Sequence, residues 1–297
     1  MSTRRRGTRA RREAALGYLL LAPALVVFGV FVFYPFAHNV YLGFFRAAPF
    51  PGLPNRYVGL RQYGDVLGSD AFLRSLKTTV LFVAMTVPTG LVLGLGLALV
   101  AHQRLRGIKV YRTIFSSTVV TSVAVASVIF GTLLNPHVGL LPSLGISPDP
   151  PILGNPGWAL PAVALVTVWQ NLGLSFILMS SGLQAIPEEL LEAAAVDGAG
   201  SWVRLTRITI PLLGPVVLFA VVVGSILSFQ SFGQIDLLTR GGPLGGTNVL
   251  TYFIFTELRL RNDPGTAAVL SVALFLVTLG FTALQIRLIE RRVTYAR

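Results

Sequence analysis

The chain of 297 residues is 53% apolar and 12% charged, with a mean hydropathy of +0.71, about half the charge of an ordinary soluble protein, so it is an integral membrane protein. It has no cysteine, which excludes disulfides and thiolate metal sites, and His38, His102 and His137 are too scattered to suggest a metal centre. The net charge of +12 sits at the ends of apolar runs instead of along one soluble face, so it reads as membrane topology, and no nucleic-acid partner is expected.

Residues 1–15 carry Arg4, Arg5, Arg6, Arg9, Arg11 and Arg12 directly before an apolar run at 16–36. The apolar region of a signal peptide is about 7 to 15 residues long, so this longer run predicts a retained first span behind a basic cytoplasmic tail. The arginines would anchor that tail to an anionic leaflet. Five further runs, at 76–101, 113–134, 158–182, 208–233 and 267–286, are long enough for the roughly 20 residues that a helical span needs. The predicted fold is all-α, a polytopic domain of six transmembrane helices over 16–290 with a short tail at 291–297. Helices are required because unpaired backbone groups are not tolerated in lipid.

Six spans put both termini on one side. With the N-terminus in the cytoplasm, sixteen of the 24 lysines and arginines fall inside: the six above, Arg104, Arg106, Lys109, Arg112, Arg204, Arg207, Arg287, Arg291, Arg292 and Arg297. Arg46, Arg56, Arg61, Arg74 and Lys77 weaken the bias without reversing it. The connection at 135–157 is rich in proline and glycine, so it is predicted to be irregular and outside.

The connection at 187–207 is therefore cytoplasmic, and acidic residues cluster there. Glu188, Glu189 and Glu192 would line one side of a helix opposite Leu190, Leu191, Ala194 and Ala195, with Pro187 suited to the first turn and acids favoured by the helix dipole. Asp197-Gly198 breaks the pattern, and a second short helix is predicted from Trp202 to Ile208. Acids at a helix start can also be ordinary capping.

All twelve acidic residues lie outside the six runs, which disfavours a proton-driven carrier needing a relay at membrane depth. The two lysines follow Leu76 and Ile108, so the GxxxxGK[ST] phosphate loop is absent. Energy must come from a partner, or none is used. The polar residues of the spans are neutral and suit helix packing. Alternatively some line a path for a hydroxyl-rich solute, and the candidates are Trp169, Gln170, Asn171, Ser175, Ser225, Ser228, Phe229 and Phe232.

The wording of the acidic connection is particular. Glu192-Ala193-Ala194, Asp197-Gly198-Ala199 and the Ile208, Ile210-Pro211-Leu212-Leu213, Pro215 ending resemble the EAA loop of binding-protein-dependent ABC importer permeases, in their carbohydrate and glycerol-3-phosphate branch. Ala22-Pro23-Ala24 with Tyr34-Pro35, Val58-Gly59-Leu60 with Tyr63, and Leu238-Thr239-Arg240-Gly241-Gly242-Pro243 with Thr247 extend the resemblance over nearly the whole chain. Gln62 and Lys77 depart from the asparagines of many relatives. The chain also lacks the extra spans and inserted outer domain of the maltose-type subunit, so the shorter glycerol-phosphate or trehalose type is the nearer match.

The resemblance implies a type I importer permease fold in the inner membrane and half of a solute pathway. Its implied partners are a second homologous permease, two ATPase subunits, an extracytoplasmic solute-binding protein and the lipid bilayer. ATP and Mg2+ would be bound by the ATPase and not by this chain, which would not be an enzyme. Glu188, Glu189, Glu192, Ala193, Ala194, Asp197, Gly198 and Ala199 would couple to the ATPase. An ATP-independent secondary carrier or channel is the alternative.

Overall fold

A computed structural model of the chain describes residues 3–48, 54–103, 106–146 and 148–290. Arg104 and the tail at 291–297, with Arg291, Arg292 and Arg297, lie outside the described residues. Among the described residues, four helices are long and apolar enough to cross a membrane unbroken: Leu16–Leu42, Asp70–His102, Ala159–Gln184 and Pro264–Leu288. They are the first, second, fourth and sixth spans. The third and fifth are bent pairs, Ile108–Val120 with Val123–Leu133 at 106°, and Ser201–Leu212 with Gly214–Phe229 at 66°.

The apolar runs at 113–134 and 208–233 are thus helical but bent. In the third span the hydroxyls of Ser116, Ser117 and Thr118 bond back to the carbonyls of Arg112, Ile114 and Phe115, which competes with the helical ladder. The chain extends at Thr121 and Ser122, and the Ser122 hydroxyl caps the next helix by accepting from the Val125 amide at 3.2 Å. In the fifth span Pro211 cannot donate to the turn before it, the ladder widens into a π turn over Leu205–Thr209, and the helix restarts at Gly214-Pro215.

Helical structure begins before the apolar runs that open at 16 and 76. Thr3–Phe28 is one helix, so the backbone of the basic segment continues the first span instead of hanging from it. The second span begins at Asp70, capped by the Ser69 hydroxyl on the Phe72 amide.

The second and fourth spans run side by side in one direction at the centre of the bundle. Their close approach depends on Gly94, where a Cβ would stand 2.6 Å from the Cβ of Ser175 and 3.0 Å from its backbone. Toward the outer end, Phe82, Leu160, Val163, Ile235, Val249 and Tyr252 form one core. Toward the inner end, Ala98, Phe176, Met179, Leu183, Leu213 and Ala220 form another.

Outside the bundle, a hairpin pairs Phe45–Arg46 with Arg56–Tyr57. Arg46 bonds to Asp65 and to the buried Gln62, which in turn donates to Thr266 at the head of the sixth span. The basic residues that blur the charge count are thus partly engaged: Arg46 and Arg61 both face Asp65. The connection at 135–157 is mostly irregular, as predicted, with short helical turns at Leu140–Ser143 and Ile152–Gly154.

Candidate functional site

The acidic connection folds as two short helices joined by a left-handed turn. Pro187 precedes the first helix, Glu188–Val196, as its N-cap, one position earlier than predicted. At the other end the Gly198 amide donates to the Ala195 carbonyl at 3.1 Å, and the Ala199 amide to the Ala194 carbonyl at 2.9 Å. This pair of bonds is a Schellman motif, and it needs a residue with positive φ at Gly198, which has φ +80°. Gly200 then caps the second helix at Ser201 with extended backbone.

Leu191 and Ala194 face the bundle and are half-buried. Glu188, Glu189, Glu192, Ala193, Asp197 and Gly198 are exposed, and Ala199 is half-buried. The predicted apolar side is therefore split, because Leu190 is 47% exposed and Val196, at the end of the helix, is 88% exposed. The helix presents carboxylates and bare apolar side chains together, a combination typical of a surface that another protein covers.

The eight pathway candidates do not converge. Asn171, Ser175 and Ser228 line one seam between the second, fourth and fifth spans, joined there by Thr86 and Thr167. The Thr86 and Ser228 hydroxyls lie 2.9 Å apart. The cavity along this seam is ≈ 30 Å³, room for about one water.

The other five lie apart from that seam. Gln170 donates to the Thr121 carbonyl at 3.3 Å, satisfying an oxygen freed by the bend of the third span, and accepts from Gln234 at 2.6 Å. Trp169 packs edge-on to Phe130 at 5.2 Å. Ser225 accepts from Gln285 at 2.7 Å, the buried Phe229 meets Phe281, and Phe232 lies between Tyr252 and Phe255. Thr86 and Thr167 were missed. Ser75, Thr79 and Thr86 recur on one face of the second span, and that spacing was the available signal.

The family described as "Binding-protein-dependent transport system inner membrane component" matches residues 66–295. The chain belongs to that family. This permease is 35% identical to the sn-glycerol-3-phosphate transport system permease protein UgpA of Agrobacterium fabrum over 285 residues, 94% of this chain and 96% of the relative. The corresponding figure for the protein of the same name from Rhizobium meliloti is 36% over the same shares. Its fold matches a bacterial ABC transporter involved in the import of alginate, with a TM-score of 0.78 and 22% identity over 96% of this chain and 99% of the other. The permease is thus a multi-pass inner-membrane component of a binding-protein-dependent importer.

The segment after the fifth span is not the bare outer connection that hydropathy suggests. It holds helices Gly233–Leu238 and Leu250–Phe255, the latter continuing as a π turn to Leu260, and it packs into the outer end of the permease. Thr79 on the second span caps the Leu250 amide at 2.8 Å, and Ser75 donates to the Asn248 carbonyl at 2.7 Å. The glycines after Arg240 are more than punctuation, since a Cβ on Gly241 would stand 2.6 Å from the Tyr252 ring at φ +77°. Glu257 in this segment is the only charged side chain among the described residues that is buried, at 4% exposure, and it pairs with Arg261 at 2.7 Å.

Proposed function

We propose that the chain forms half of the translocation path of an ABC importer and carries the ATPase motion into the membrane through the helix Glu188–Val196. A second related permease completes the path, and two ATPase subunits dock under this helix on the cytoplasmic side. A soluble binding protein delivers solute outside, as a periplasmic protein does for the alginate transporter solved in complex with one. ATP and Mg2+ belong to the ATPase, and this chain does no catalysis. The solute class is sn-glycerol-3-phosphate, a glycerophosphodiester or a sugar, in keeping with the relatives named above.

The observation that carries the reading is the geometry of the acidic connection. Its short helix exposes Leu190, Glu192 and Val196, while the half-buried Leu191 lines a cleft with Leu99 and Leu183 at the inner end of the bundle. Small residues at Ala193 and Ala194 let a partner seat closely, and the left-handed Gly198 fixes the exit direction. A push on the helix is delivered to the foot of the fifth span, whose 66° bend lies just above. The neutral seam of Thr86, Thr167, Asn171, Ser175 and Ser228 would then open against the second permease.

Glu192→Ala and Gly198→Pro test this. Both should insert in the membrane normally and lose uptake, with ATP hydrolysis uncoupled or ATPase binding weakened. Normal uptake in both variants refutes the coupling role. Transport in proteoliposomes lacking any ATPase would instead favour a secondary carrier.

A further inference from the structure

The inner end of the bundle holds a second, larger cavity beside the acidic connection. It has a volume of ≈ 470 Å³ and lies between the ends of the second and fourth spans, the coupling helix and the first half of the fifth span. Its walls are largely apolar, from Leu99, Leu183, Ile186, Leu191 and Leu205. Its polar side is cationic or neutral: Arg204 and His102, with Gln103, Ser201 and Thr209, and no carboxylate lines it among the described residues.

Arg204 is the anomaly. Its Nε is shut off from solvent and has no hydrogen-bond partner, and its Nη2 makes only a long contact of 3.5 Å to the Ser201 hydroxyl. A guanidinium half-sunk in an apolar chamber is costly until an anion joins it. The anion that suits this shape is amphiphilic, with a charged head at Arg204 and hydrocarbon along the leucines. The position suits it too, since basic clefts between spans on the cytoplasmic side are where anionic headgroups bind.

We propose that this chamber is a binding site for an anionic phospholipid of the cytoplasmic leaflet, whose phosphate sits on Arg204 and whose acyl chain lies against Leu99, Leu183 and Leu205. Because Leu191 and Ser201 come from the two helices of the coupling connection, the lipid braces that connection against the second and fourth spans. A free phosphate would satisfy Arg204 and leave the apolar wall uncovered.

The test uses the full chain assembled with its partner subunits in nanodiscs of phosphatidylcholine with added phosphatidylglycerol, followed by detergent extraction and native mass spectrometry. Wild type and Arg204→Lys should retain phosphatidylglycerol. Arg204→Gln should retain about fivefold less, the worth of one basic contact at an anionic surface. Leu205→Trp, which fills the chamber and keeps the charge, should also lose it, so the result does not hang on one variant. Equal retention in wild type and both of these variants overturns the proposal. Displacement of the lipid by millimolar inorganic phosphate or glycerol phosphate also overturns it, by making the site one for a soluble anion. So does retention only when the ATPase is omitted, which would assign the chamber to the partner protein.

Discussion

At the scale of single residues, Gly198 and Gly94 are required for different reasons. Nothing lies within 4 Å of a Cβ built on Gly198, so alanine there meets backbone strain alone, about 1–2 kcal/mol for a left-handed residue. Gly198→Ala should therefore slow uptake partially, and Gly198→Pro, which cannot reach positive φ, should abolish it in the same transport assay. At Gly94 the obstacle is the backbone of Ser175, so Gly94→Ala must push the second and fourth spans away from each other. A loss of about 1–3 kcal/mol is expected, read as a lower melting temperature in detergent with the coupling helix untouched. Glu257 adds a pH-dependent term. Burial pushes its carboxyl above the ordinary value near 4.5, Arg261 pulls it down less strongly, and Asp263 raises it further. The folded state thus holds this proton more tightly than the unfolded chain, and stability from this group is present below the unfolded value and lost as pH rises through the folded one. Glu257→Gln should melt close to wild type at about pH 4 and above it at about pH 7. A constant difference across that range would contradict the shift.

At the scale of elements, hydropathy locates spans and says nothing of their direction. The six runs were legible because each is long and apolar, while the 106° and 66° bends were not, since a run of apolar residues reads the same bent or straight. The clue to the first bend was the cluster Ser116, Ser117, Thr118 and Ser122, whose hydroxyls make local bonds to the backbone. The coupling connection was legible in more detail, because carboxylates after Pro187 and a glycine after Asp197 are local signals that need no tertiary context. The pathway was the least legible region. A polar side chain in a span looks alike whether it faces a path or repairs a bend, and Gln170 does the second. Phe232 lies past the helix that carries Ser225, Ser228 and Phe229, which ends at Phe229. Gln170→Leu should accordingly leave the Thr121 carbonyl and the Gln234 Nε2 without a partner and cost about 1–3 kcal/mol in thermal stability, whatever solute is carried.

At the scale of the whole molecule, the apolar composition and the family membership agree on an inner-membrane component of a binding-protein-dependent importer. The first span shows how incomplete the single chain is. It packs on the sixth span near Phe36 and Phe275, yet its apolar window buries nothing within the chain, which leaves it to lipid or to a second permease. The central claim is that ATPase motion enters through the helix Glu188–Val196, and the absence of cysteine from the sequence gives a clean background for testing it. The most direct measurement is cross-linking of single cysteines in the assembled importer, Ala193→Cys and Val196→Cys against Leu244→Cys, an exposed position on the outer loop. The first two should cross-link to the ATPase subunit, with a yield that changes between nucleotide-free and ATP-bound states, and the third should not. Absence of any ATPase adduct at Ala193 and Val196 in a complex that still imports solute would contradict the account.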